Sequence, residues 1–358
     1  MLDRYALPAA KMAANILEYK DRLKDLDGAM LIFLHRSVDG DCVGSACGMC
    51  KVLRDLGVNC YVAMPESLPK DMEFMGVEDL LFNIYNEDLD EIHEFKDKGT
   101  IYGKPYIQAL SVDISEPGRM GCCGEYFESC KDKLIIDHHA SITMRGDNMW
   151  IEPDASSAAE LCFYASCKIA ESLSMPEDKT ISPLAAQCFM TGIVTDTGRF
   201  TYKNTRPETL DSAGKLMELG GDITSVSYNL FDRKALYKFR VSAEARMRVK
   251  LYCEGKLAIT TVPRSLFDKH EALPDAVDDV VSAMRDIEGV EVAIVLRELS
   301  TGEIRANVRS VSYFDSAAFA SLYGGGGHLR AAGFTVKDGS GTIDDLAGDV
   351  IRRASELL

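Results

Sequence analysis

Three short apolar runs in the first 140 residues each stop at a potential metal ligand, and this pattern constrains the fold more than any other feature of the chain. They are LIFLH, ending at His35; ALSVD, ending at Asp113; and KLIIDHH, ending in Asp137, His138 and His139. Each run is too short for a helix and is continuously apolar rather than alternating. Such runs, separated by helical patterns such as GSACGMCKVLRDLG, point to strands of a parallel sheet covered by helices on both faces. Ligand groups in such a sheet belong at the carboxyl ends of the strands. The expected fold class is therefore α/β.

A fourth segment, MTGIVTDTGRF, carries Asp196, and the turn after LIFLH adds Asp39 and Asp41. Taken singly these residues are ambiguous. Asp39 and Asp41 read equally well as caps of the following helix, and Asp113 and Asp196 as turn or cap residues. The histidines are harder to explain that way, because the chain has only 6 and three of them fall at expected strand ends. Asp39, Asp41, Asp113, Asp137 and Asp196 brought close together would repel and raise one another's pKa unless cations compensated. An oxygen-rich set supplemented by imidazole suits manganese, with magnesium or iron as further candidates, more than zinc. Paired cations of this kind activate a water and neutralise a phosphate, so phosphoester hydrolysis is the expected reaction.

After Tyr202 the chain becomes charged and helical, which suggests a catalytic domain over 1–205 and a helical linker over 206–249. A second alternation of strands and helices over 250–358 suggests a smaller α/β domain. It contains Arg309 and Ser310 at the end of IRANVRS, then the run Gly324, Gly325, Gly326, Gly327 and His328. Bare glycine amides cradle anions, and an arginine forks onto phosphate oxygens. These residues describe an anion-binding surface.

The net charge of −16 argues against coating long duplex nucleic acid, which needs many Lys and Arg contacts to phosphate. A short anionic substrate held by local cations is compatible with it. No apolar run approaches the roughly 20 residues of a membrane helix, and the first residues are amphipathic rather than signal-like. With 11 scattered cysteines, including Cys47 and Cys50 in a CxxC and the adjacent Cys122 and Cys123, the chain reads as cytoplasmic, with reduced thiols packed in the core.

HRSVDGDCVGS, VDISEPGRMG, IIDHHAS, GIVTDTGRF and, further on, VRS followed by GGGGHLRAAGF together resemble the DHH phosphoesterase superfamily with its DHH-associated carboxy-terminal domain. The resemblance covers about residues 30–358, and is nearest to the bacterial nanoRNase (oligoribonuclease)/pAp phosphatase branch. It implies two divalent ions, manganese first, one held by His35, Asp39 and Asp113 and the other by Asp41, Asp113, His138 and Asp196. It further implies that Asp137 supports the ligands, that His139 faces the scissile phosphate or acts as an acid, and that the protein is a homodimer. Arg309, Ser310, Gly325, Gly326, Gly327 and His328 would bind short RNA or a small nucleotide from across an interdomain cleft. The family commonly has proline where this chain has Val38. A phosphodiesterase of cyclic di-AMP or pApA would use the same residues, while a non-catalytic nucleotide sensor would be expected to have lost ligands that are all present here.

Overall fold

The apolar runs form the centre of a parallel sheet. Its strands are β1 (Ala29–Phe33), β2 (Cys60–Ala63), β3 (Leu81–Phe82), β4 (Thr100–Ile101), β5 (Lys104–Val112), β6 (Asp132–Asp137) and β7 (Asn148–Ile151). The order is β3-β2-β1-β5-β6-β7 with all of these neighbours parallel, and β4 pairs antiparallel with β5. Around it lie α1 (Ala6–Asp25), α2 (Gly40–Asp55), α3 (Asp90–Lys98), α4 (Gly124–Ser129), α5 (Ala158–Ser172), α6 (Glu177–Thr180), α7 (Pro183–Asp196), α8 (Pro207–Glu218) and α9 (Ile223–Ser227). The computed structural model describes residues 3–141, 143–144, 148–337 and 341–358, and the chain divides into two units, Met1–Arg233 and Lys234–Leu358.

Both faces of the sheet are buried, which is why its strands read as unbroken apolar runs. Met30, Ile32, Leu110 and Ile136 face a core shared with Met49, Phe163 and Phe189 of α2, α5 and α7. Leu31, Phe33, Ala109 and Ile135 face the opposite core with Ile92, Phe95 and Phe127 of α3 and α4. From β1 the chain moves to β2 and β3 on one side, then returns to β5, β6 and β7 on the other. The connections after β1 and β5 therefore leave in opposite directions, and the crevice between them is the place where such sheets bind ligands.

The apolar run before Asp196 is the carboxyl end of a 14-residue helix, α7, and that helix lies directly on α2. The contact depends on glycine. A Cβ at Gly44 would lie 2.8 Å from the Gly192 nitrogen and closer still to the Cys188 carbonyl oxygen. Gly40 and Gly48 face Thr195 and Phe189 of the same helix, so a glycine at every fourth position of α2 lets α7 approach it closely.

The 206–249 segment, expected as a linker, is not a separate piece. Ala213 and Leu216 of α8 join the core of the first unit, whereas α10 (Leu236–Met247) packs Val241 and Ala245 into the second. That unit also contains α11 (Arg264–Lys269), α12 (Val280–Arg285), α13 (Ser316–Ser321) and α14 (Ile343–Ser355). Its strands are β8 (Lys250–Tyr252), β9 (Leu257–Val262), β10 (Val292–Glu298), β11 (Ile304–Ser310), β12 (Gly326–His328) and β13 (Ala331–Val336), in the order β12-β13-β11-β10-β9-β8. α13 and α14 cover one sheet face through Phe319, Ala347 and Val350. On the other face α10, α11 and α12 cover β9 and β10 through Val241, Phe267 and Val281.

The cysteines are free and most are buried, including Cys47 and Cys50, as a core role requires. Cys122 departs from the expectation. It is exposed while Cys123 is buried, because consecutive residues of the tight turn at Pro117–Cys123 point different ways.

Candidate active site

The end of β1 delivers His35, which is buried. Its Nδ1 lies 2.9 Å from the Arg36 carbonyl oxygen, so that nitrogen carries the proton and donates. Nε2 is left facing Asp113 Oδ2 at 3.3 Å and Asp39 Oδ2 at 3.6 Å. His138, after β6, repeats the arrangement. Nδ1 is 3.4 Å from the Ala155 carbonyl oxygen, and Nε2 faces Asp113 Oδ1 and Asp196 Oδ2 at 3.5 Å and Asp41 Oδ2 at 3.8 Å. A ring with one nitrogen on a main-chain carbonyl and the other turned to an acidic cluster is the usual setting of a metal-ligating histidine.

Both readings of the aspartates hold at once. Asp39 is the N-cap of α2, with Oδ1 accepting from the Asp41 and Cys42 backbone, while Oδ2 is the oxygen facing His35. Asp41 accepts from the Ala158 and Ala159 nitrogens at the start of α5, at 2.7 and 2.9 Å. Asp113 follows β5 with φ of 57°, a conformation that is strained for aspartate, and its buried Oδ1 has no hydrogen-bond partner among the described residues. Asp196 closes α7, where a carboxylate opposes the helix dipole.

Asp137 is fully buried and stands outside the candidate ligand groups. Its Oδ1 accepts from the His138 nitrogen at 2.8 Å, the His139 nitrogen at 3.2 Å and His139 Nδ1 at 2.7 Å. It thereby fixes both the turn and the His139 ring. His139 keeps about 34% of its side chain exposed.

The electrostatics are those of an uncompensated acidic cluster. Burial, then Asp113 and Asp196, push Asp41 well above the carboxylate range. Burial and Asp113 raise Asp196 to about 6 against the pull of His138. Burial opposes ionisation of Asp113 too, but His138 and His35 outweigh it and hold Asp113 at about 2. Burial works to lower His138, yet Asp113 and Asp41 raise it to about 10. The Asp137 hydrogen bond raises His139 as well. Divalent cations would replace this mixture of protons and strained charge, and the orphaned Asp113 oxygen and the oxygen-and-imidazole donor set fit them.

Candidate ligand atoms within 4.8 Å of one another occur in His35, Asp39 and Cys42; in Asp41, His138 and Asp196; and in Asp113, His138 and His139. Cys42 is the member that sequence reasoning missed. It is the third residue of α2 and receives the Asp39 backbone N–H at 3.2 Å on Sγ, while burial pushes its thiol up to about 12.

In the second unit Arg309, Gly324, Gly325, Gly326, Gly327 and His328 line one cleft of about 670 Å³. Gly327 has φ of 143°, and a Cβ there would meet the Ala331 carbonyl oxygen at 2.6 Å. Ser310 is not part of this cleft. It is buried on the opposite sheet face, its Oγ 3.0 Å from Ser316 Oγ and 3.4 Å from the Leu329 carbonyl oxygen. Arg330 is also turned elsewhere, donating to the Phe314 carbonyl oxygen. The cleft adds Thr335 of β13, and Arg305 and Asn307, which strand alternation in IRANVRS could have placed beside Arg309.

Comparison with known proteins agrees with this layout. Residues 29–193 match the DHH family, N-terminal domain, and residues 254–356 match the DHHA1 domain. A bifunctional oligoribonuclease and PAP phosphatase NrnA of Thermus thermophilus is 27% identical over 317 residues, which are 88% of this chain and 86% of that protein. The cyclic-di-AMP phosphodiesterase PdeA of Listeria monocytogenes is 26% identical over 318 residues, 85% of this chain but 44% of that protein. An exopolyphosphatase-related protein of Bacteroides fragilis shares the fold, with a TM-score of 0.78 and 24% identity over 96% of each chain. With its acidic and imidazole cluster at the switch point of a parallel sheet, the chain carries a DHH family N-terminal domain followed by a DHHA1 domain, and is a hydrolase of phosphoric ester bonds.

Proposed function

We propose that this protein hydrolyses short oligoribonucleotides and 3'-phosphoadenosine 5'-phosphate through a dinuclear manganese site. The observation that carries the reading is the pair of imidazoles, His35 and His138, both turned by main-chain carbonyls onto the two carboxylate oxygens of Asp113. His35, Asp39 and Asp113 would hold one ion, and Asp41, Asp113, His138 and Asp196 the other. When bound, the two ions supply Lewis acidity toward the phosphate and the attacking water.

The chain's own residues do the rest. Asp137 fixes the His139 ring through Nδ1, and Nε2 has no partner among the described residues. The Asp137 hydrogen bond favours the protonated ring, and Nε2 would donate to a phosphate oxygen or to the departing hydroxyl. Water adds to phosphorus, the ester P–O bond breaks, and the leaving oxygen takes the proton. In the second unit Arg309, His328 and the glycine loop, Gly325, Gly326 and Gly327, bind substrate phosphate and sugar. We place the protein in the cytoplasm as a homodimer, in keeping with its free cysteines and the family resemblance. Among the described residues no helix is long and apolar enough to cross a membrane.

Similarity to the Listeria phosphodiesterase supports a second reading, hydrolysis of cyclic di-AMP or pApA. The test is a turnover panel with manganese, comparing RNA of two to five nucleotides, pAp, pApA and cyclic di-AMP. Preference for short RNA and pAp supports the first reading. Preference for cyclic di-AMP or pApA replaces it with the second, and no turnover of any of them rejects both.

A further inference from the structure

One half of a sheet face in the second unit is left open, and it is lined in a way its neighbours are not. Ile304, Ala306 and Val308 of β11 enter the core under α13 and α14, so Arg305, Asn307 and Arg309 stand in a row on the opposite face. On that face α10, α11 and α12 cover β9 and β10, α12 reaches the near edge of β11, and Arg305, Asn307 and Arg309 of β11 line the open cleft with β13. Opposite the row, β13 offers short side chains. Arg309 pairs with Ala331, Asn307 with Gly333 and Arg305 with Thr335. The row is thus unfenced on its β13 side.

Its donors are also unused. Arg305 and Asn307 make no side-chain hydrogen bond or ion pair among the described residues, and Arg309 reaches only the Val308 carbonyl oxygen, at 3.0 Å. Arg297 shows what an occupied arginine looks like here. It sits directly across from Arg305 on β10 and is buried, 2.5 Å from Asp278 Oδ1 and 2.7 Å from the Pro274 carbonyl oxygen. The protein has 56 acidic residues to 40 basic ones, yet among the described residues no carboxylate lines the open cleft. An unfenced pair of arginines in an acidic protein calls for an anion from outside.

Two arginines at i and i+4 of a strand have Cα atoms about 14 Å apart, since an antiparallel strand rises about 3.4 Å per residue. That span exceeds the reach of a single phosphate and follows an extended chain lying along β11. We propose that Arg305 is a length-reading residue. It binds a phosphate of the oligonucleotide distal to the one held by Arg309 and the glycine loop, with Asn307 facing the nucleotide between them, so that substrates of three or more nucleotides gain a contact that dinucleotides lack. This rests on the proposal that the protein hydrolyses short oligonucleotides.

The test compares Michaelis constants of the full-length wild type and Arg305→Ala for 5'-phosphorylated RNA of two, three and four nucleotides, with manganese at saturation. Loss of one charge-assisted phosphate contact is about tenfold in affinity. The expected result is that the ratio of KM for the dimer to KM for the tetramer falls about tenfold in the variant, with kcat for the tetramer changed less than KM. The slope of log KM against log salt for the tetramer should also shrink by about 0.7, the value for one phosphate contact to a single strand. Arg305→Lys should restore the salt slope but only part of the KM.

A uniform rise in KM for all three lengths would overturn the proposal and make Arg305 a general electrostatic contributor. No change at any length would overturn it too. If the wild type turned over none of the RNAs, the functional reading itself would fail. Equilibrium binding of a non-hydrolysable tetramer and dimer to the same variants would then still decide whether Arg305 reads length, because the shelf lies in one unit and its contacts do not require catalysis.

Discussion

Gly44 is the position where fold and chemistry are most tightly joined, and Gly44→Ala tests that link. In an open helical position this change stabilises a protein by up to about 1 kcal/mol, because alanine is the better helix former. Here the new Cβ would lie 2.8 Å from the Gly192 nitrogen and nearer still to the Cys188 carbonyl oxygen, both backbone atoms that no rotamer change can move. Restoring an ordinary contact near 3.4 Å requires α2 and α7 to separate by at least about 0.6 Å. Overpacking of this kind costs about 1–3 kcal/mol, so the sign of the effect reverses. For a unit of this size about 2 kcal/mol lowers Tm by roughly 4–8 °C.

The same displacement acts on the site. Asp41 precedes Gly44 by one turn on α2, and Asp196 follows Gly192 by one turn on α7. Metal ligation tolerates departures of only about 0.2 Å, so a shift of 0.6 Å weakens the proposed Asp41, His138 and Asp196 ion site first. Misplacement on this scale lowers turnover by about a hundredfold. The assay is manganese-dependent hydrolysis of a short RNA, with the manganese concentration for half-maximal rate, alongside thermal unfolding. Gly214→Ala is the control. It lies in α8 of the same unit with open space around its Cβ, and should raise Tm slightly with full activity. If Gly44→Ala behaved like this control, the argument that a glycine contact sets the carboxylate spacing would be refuted.

Asp113→Ala removes the carboxylate that faces both His35 and His138 and should lower hydrolysis of a chromogenic phosphodiester by roughly a thousandfold or more; near-normal turnover in manganese would defeat the shared-ligand reading. Chelation with EDTA should abolish activity, and manganese at about 100 times its dissociation constant should restore it while adding about 2.7 kcal/mol of stability. Unchanged Tm on metal addition would argue against a preformed site. In the second unit, Glu291 is buried and accepts from the Ser312, Tyr313 and Phe314 nitrogens, which hold it below its ordinary 4.5 despite burial. A depressed folded pKa contributes stability that is present above the unfolded value and is lost as pH falls through the folded value. Glu291→Gln should therefore lower Tm at pH 7 and lessen the loss of stability below about pH 5; parallel Tm curves for the two proteins would contradict this.

Much of the first unit was legible because both faces of its sheet are buried. Period-two alternation then vanishes, and β1, β5 and β6 appear as plain apolar runs whose ends mark the crevice. The run before Asp196 was harder, since a buried helix such as α7 and a buried strand give the same composition. Ser310 was misplaced beside Arg309 for a simpler reason. Neighbours on a strand face opposite sides, and that rule would have selected Arg305 and Asn307 instead. β12 and β13 escaped notice because GGGGHLRAAGF has little β-propensity; its glycines serve close backbone approach, as at Gly327, rather than strand formation. The glycine spacing of α2 was visible, but only the position of α7 gives it meaning.

The aspartates also differ in how much they depend on a cation, which individual motifs could not reveal. Asp39 caps α2 and Asp41 receives the first amides of α5, so each has a helix amino terminus to offset its charge. Those two carboxylates would be retained by a merely structural role. Asp113 and Asp196 have no such support. One is held in left-handed backbone with an unpartnered buried oxygen, and the other adds its charge to the negative end of α7. Both are locally unfavourable choices that folding alone does not require, and both face His138 Nε2 at 3.5 Å. A metal centre is therefore what gives a purpose to the two aspartates that do least for the fold.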